Sequence, residues 1–78
     1  MNRLSLARWI AARVESGADV MRLSVKTESN QWNHLAEWTV PDGPVEPFID
    51  RCRRSAGTLF AYSPDRAEPV AKLNLARR

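Results

Sequence analysis

Gln31-Trp32-Asn33-His34-Leu35-Ala36-Glu37-Trp38, QWNHLAEW, holds two of the chain's three tryptophans and its only histidine, and whether it is a helix or a returning strand decides the fold. As a helix it has a beginning and no continuation. Trp32, Leu35 and Ala36 start an apolar stripe, but the next stripe position is Thr39, and Val40 and Pro41 end the run. As a strand it has a partner just upstream. Residues 20–27, VMRLSVKT, alternate apolar Met21, Leu23 and Val25 with polar Arg22, Ser24 and Lys26, the period of a half-buried strand. A loop of Glu28, Ser29, Asn30 and Gln31 sets Thr27 opposite Trp32, after which Val25 meets His34, Leu23 meets Ala36 and Met21 meets Trp38.

The opposite face supports the same register. It brings Arg22 to Glu37 and Lys26 to Asn33, a favourable arrangement of charge across a ladder. A slip of one residue would lose the matches on both faces. The hairpin reading makes Trp38 a core residue over Met21. Trp32 lies about 20 Å away at ~3.3 Å per residue, near the hairpin tip and beyond the reach of a small core. It is therefore a candidate partner contact.

On the N-terminal side, Ser5 to Gly17 reads as an amphipathic helix, with Leu6, Trp9, Ile10 and Val14 at helical spacing, Ser5 as cap and Gly17 as a left-handed stop. Trp9 belongs to its core face. On the C-terminal side, Pro41-Asp42-Gly43-Pro44 is a turn that ends the second strand. A second helix follows to about Ala56, with a proline in its first turn, Glu46 and Asp50 toward its positive end, and Arg51, Arg53 and Arg54 toward its negative end. Gly57 reads as its stop. Val45, Phe48, Ile49, Cys52 and Ala56 form its buried face, which makes Cys52 a small core residue.

Residues 58–62 and 70–75 read as two more strands, joined by a proline-containing exposed loop. Pairing Ala61 with Ala71 and Leu59 with Leu73 aligns one apolar face and leaves Phe60, Tyr62 and Lys72 on the other. Which of those faces is buried stays open at this level. The order is helix, strand, strand, helix, strand, strand. The expected fold is a small α+β domain spanning residues 1–78, a four-stranded antiparallel sheet with both helices on one face and residues 76–78 as a frayed basic tail. No internal repeat or low-complexity segment interrupts it.

The totals exclude several classes. The most apolar stretch, Leu4 to Val14, contains Arg8 and Arg13 and falls short of the ~20 residues of a membrane span. It also lacks a cleavage pattern, so neither a membrane nor export is expected. A lone Cys52 cannot form an internal disulfide, and a reducing cytoplasm is the expected location. One Cys and one His do not suffice for a zinc site, and the three glycines stand too far apart for a phosphate loop, so no metal or cofactor is expected. A Cys52–His34 pair is the sole cysteine-and-base combination. It would require a helix-face thiol to meet a strand imidazole with no third group to orient it, so no catalytic residue is assigned and the protein is expected not to be an enzyme.

What remains is binding. The net charge is +3, from ten Arg and two Lys against nine acids, a mild excess for a dedicated nucleic-acid binder. Two basic sites are available. One is the cluster Arg51, Arg53 and Arg54, in which Arg51 and Arg54 share a helical side. The other is a sheet face carrying Arg22, Lys26, Phe60, Tyr62 and Lys72, where rings would stack on bases and cations hold the backbone. The aromatic-rich signature of an RNA-recognition sheet is absent, and Phe60 and Tyr62 have an alternative role as core residues.

In size and organisation, though by no quotable motif, the chain resembles the short stand-alone proteins with which phages and mobile elements block host or defence machinery, anti-CRISPR proteins among them. The likeness carries over no functional residue. The function expected is that of an interaction protein docking on a larger protein or nucleoprotein complex and obstructing or adapting it. Trp32, Arg22, Lys26 and the Arg cluster are its contact candidates, with direct nucleic-acid binding as the alternative.

Overall fold

A computed structural model describes residues 2–75; the basic tail expected at 76–78 lies outside the described residues. The elements are α1 (Arg3–Glu15), β1 (Val20–Lys26), β2 (Trp32–Thr39), a 3-10 turn (Val40–Asp42), α2 (Glu46–Arg53), β3 (Thr58–Tyr62) and β4 (Ala71–Asn74). They form a four-stranded antiparallel sheet in the order β2-β1-β3-β4, so the two hairpins lie side by side through their first strands. Both helices cover the same side. Leu6 and Ile10 of α1, Phe48, Ile49 and Cys52 of α2, and Met21, Leu23, Leu59 and Ala61 of the sheet form one buried cluster, with Trp9, Ala36 and Trp38 packed against it.

α1 begins earlier than the sequence predicts, because Asn2 rather than Ser5 is the cap: its Oδ1 accepts from the Ser5 backbone N–H at 2.8 Å. Its end matches expectation. Gly17 takes φ +111°, its N–H donates to the Val14 carbonyl, and the Ala18 N–H donates to the Arg13 carbonyl, which satisfies the last turn. α2 stops at Arg53, short of the expected Ala56, and Gly57 is not its left-handed stop. Gly57 instead lies where a Cβ would collide with the Ser24 carbonyl, so it lets the strand entry approach β1 closely.

The first hairpin departs from its predicted register in one half. Near its base, Met21 faces Trp38, Arg22 faces Glu37 and Leu23 faces Ala36, as expected. Toward the tip, Ser24 faces His34, Val25 faces Asn33 and Lys26 faces Trp32, which replaces the expected pairs of Val25 with His34, Lys26 with Asn33 and Thr27 with Trp32. The turn explains the shift. Asn30 adopts φ +69°, its N–H donates to the Thr27 carbonyl, and the Thr27 N–H donates to the Gln31 carbonyl at 2.7 Å. That is a three-residue loop closed by a left-handed residue, one residue shorter than expected. The turn and the base of the hairpin thus demand registers that differ by one. Leu35, the unpaired residue of a β-bulge, reconciles them.

Candidate functional site

Face assignment along β2 follows from the bulge. Ala36 and Trp38 point to the helices, and below the bulge His34 and Trp32 point to the opposite, open side. Trp32 is therefore not an isolated contact beyond the core's reach. Its ring meets Phe60 edge-to-face at 5.0 Å between centroids, and Phe60 lies 6.5 Å from Tyr62.

Phe60 and Tyr62 reach this face because β3 pairs Leu59 with Leu23 and Ala61 with Met21 on the helix side. The alternative role of both rings as residues of the helix-covered core is thereby overturned. Phe60 is only 9% exposed yet lies outside the main core cluster; its neighbours are the other groups of the open face. Trp32, at 45%, is the most accessible of the three rings.

Between Trp32 on β2 and Phe60 on β3 runs β1, where the residue beneath the crossing is Ser24. Its small side chain is fully buried, and its hydroxyl lies 2.8 Å from His34 Nδ1. A small residue here leaves room for the indole to span the strand, and the hydrogen bond fixes the imidazole beside it.

The cations of this face are arranged over its rings. Arg22 Cζ sits 4.9 Å from the Tyr62 centroid and Lys26 Nζ sits 5.2 Å from the Trp32 centroid. Arg22 is held in place by Glu37, whose Oε1 accepts from its Nε at 2.7 Å. That bond raises the guanidinium pKa above its usual value, with smaller support from Tyr62. Lys72 of β4 stands opposite Phe60 and is exposed. Among the described residues neither Lys26 nor Lys72 forms an ion pair.

The arginine cluster lies elsewhere. Arg51 and Arg54 do share a side, bordering a shallow depression with Leu23, Leu35, Ser55 and Ala56. Arg53 and Arg54 border another with Leu6, Cys52 and Leu75. Both belong to the helix layer, on the other side of the sheet from the aromatic row, so the two basic sites found in the sequence do not merge. Arg51 is also committed structurally: its Nη2 donates to the Leu35 carbonyl at 3.1 Å, satisfying the bulged residue.

The Cys52–His34 pair is not assembled. Cys52 is 1% exposed within the helix-side core, and burial pushes its thiol up to about 12, against a smaller opposing effect of Arg51. His34 is on the opposite face. The described residues contain no group of three or more His, Cys, Asp or Glu side chains able to hold a metal ion, and no helix long and apolar enough to cross a membrane.

Sequence reasoning placed Arg22, Lys26, Phe60, Tyr62 and Lys72 on one face, held Trp32 apart from them as a contact at the hairpin tip, and missed Ser24 and His34; the structure brings all eight to the same surface. The signal was Asn30, whose tolerance of the left-handed region favours the shorter loop. In comparisons with family models, curated proteins and solved structures the chain gives no significant match.

Proposed function

We propose that this is a non-enzymatic interaction protein whose working surface is the open face of its sheet, and that it docks there on a larger nucleoprotein assembly, which it obstructs or adapts. One observation carries the reading. A β-bulge turns Trp32 onto the sheet face that already carries Phe60, Tyr62, Arg22, Lys26 and Lys72 and that no element of the described chain covers. Trp, Tyr and Arg are the residue types enriched among binding anchors, and their charged and aromatic groups are already held in mutual contact before any partner arrives. The reducing cytoplasm is the compartment that suits a chain with one buried, unpaired thiol.

Photo-crosslinking side chains placed at Lys72 and, separately, at Arg53 in the full chain test this in lysate of its native cells. The expected result is a discrete product from position 72 that Trp32→Ala reduces. A Trp32 anchor contributes ~2 kcal/mol, roughly thirtyfold in affinity. Products from position 53 alone, unaffected by Trp32→Ala, would transfer the working surface to the helix layer.

A further inference from the structure

Resting on that reading of the open face, we infer that the component it contacts is single-stranded nucleic acid: unstacked bases lie against Trp32 and Tyr62, and the backbone phosphates are held by Arg22, Lys26 and Lys72. Ring spacing favours a single strand. Trp32 and Tyr62 flank the nearly buried Phe60, 5.0 and 6.5 Å from its centroid, so bases laid on the two outer rings are separated by a whole intervening ring instead of the ~3.4 Å per nucleotide of a duplex strand, and must splay. Phe60, nearly buried, supports the outer rings from between them, while Trp32 and Tyr62 retain accessible surface.

Charge separates this ligand from an apolar protein surface. Three cations and one carboxylate occupy the face, and that carboxylate, Glu37, is already bonded to Arg22. Lys26 and Lys72 have no acid partner among the described residues. The core of a protein interface is depleted of charge, and an apolar partner would seal both ammonium groups away unpaired. A phosphate backbone meets that requirement at the same moment as its bases reach the rings. Arg22 is prepared for the contact: its Nε is bonded to Glu37 and its guanidinium carbon sits 4.9 Å from the Tyr62 centroid, which holds the charge in place at the surface. His34, oriented by Ser24 two residues from Trp32, is placed to meet the edge of a base.

The test uses the full chain with fluorescein-labelled (U)12 and (dT)12, a 12-base-pair duplex and heparin, read by anisotropy across salt concentrations. Saturable single-strand binding is expected, with a slope of log affinity on log salt of about −2 for three phosphate contacts. The duplex and heparin should bind at least about tenfold more weakly, because neither presents unstacked bases. Trp32→Ala and Tyr62→Ala should each weaken single-strand binding about five- to hundredfold while leaving the slope unchanged, and Trp32→Phe should restore most of the loss. Lys26→Gln with Lys72→Gln should flatten the slope by about 1.4. The two oligonucleotides decide between RNA and DNA.

Absence of saturable binding to either oligonucleotide would overturn the inference, as would equal binding of heparin, or a loss confined to Arg53→Gln with Arg54→Gln. A crosslink from position 72 to protein that survives nuclease would overturn it too, while leaving the docking surface standing. Crosslinks from position 53 alone would remove the docking surface itself.

Discussion

Ser24 and Cys52 lie on opposite sides of the sheet, and each shows how a small side chain is used. Ser24 is the low point over which Trp32 reaches Phe60. Ser24→Leu should lift the indole away and increase its solvent exposure, visible as a red-shifted tryptophan emission with the helix signal in far-UV circular dichroism retained. Cys52 fills the helix-side core, where burial disfavours the thiolate. Between the ordinary thiol value of 9.0 and about 12, the unfolded chain has released the thiol proton and the folded chain still holds it. The folded state then binds more protons, so this residue's contribution to stability falls as pH rises through that window and is fully present below it. Alkaline unfolding should therefore begin at higher pH in Cys52→Ala than in the parent, relative to their midpoints at pH 7. Native Cys52 should resist thiol reagents at pH 8. The helical spacing of Phe48 and Cys52 was enough to predict this burial from sequence, whereas Ala56, expected on the same buried face, falls beyond the end of α2 and is exposed.

At the level of the element, the first hairpin satisfies two conflicting instructions. Arg22 with Glu37 and the apolar face set the base register, while the left-handed Asn30 sets the tip register, and Leu35 absorbs the difference. The pairing matches were legible because they depend on residue types at fixed intervals. The loop length was not, because it depends on the backbone conformation of one residue, and any of several residues between Thr27 and Trp32 could have supplied it. Asn30→Val should destabilise the domain by about 1–2 kcal/mol in urea unfolding, and Asn30→Gly should be neutral or stabilising. Gly57 teaches a related lesson. Its position after a helix suggests a stop, yet its role is a close approach to β1 that only the assembled sheet creates. Gly57→Ala should cost about 1–3 kcal/mol, as overpacking does, with a lowered urea midpoint.

For the whole molecule, the division into a helix-covered face and an open face follows from alternation in all four strands. Except below the bulge in β2, which moves Trp32 and His34 to the other side, the sequence specifies which residues share a face. It leaves open which face of the second hairpin is buried, since both Leu59 with Ala61 and Phe60 with Tyr62 are apolar enough for a core. Pairing with β1 decides it, because Leu23 and Met21 already belong to the helix side and draw Leu59 and Ala61 with them. The mild net charge understates the consequence. Arg3 is paired with Asp50 across the helices and Arg51 is bound to a carbonyl, whereas on the open face Lys26 and Lys72 have no acid partner among the described residues and Lys26 lies over the Trp32 ring.

The open face is complete only if the bulge turns Trp32 onto the same surface as Phe60, and nuclear Overhauser contacts in the free protein measure this most directly. Strong contacts between the Trp32 indole and the Phe60 ring are predicted, together with backbone contacts across Lys26 and Trp32 and across Ser24 and His34. Backbone contacts from Thr27 to Trp32 and from Val25 to His34, with no contact from Trp32 to Phe60, would contradict it.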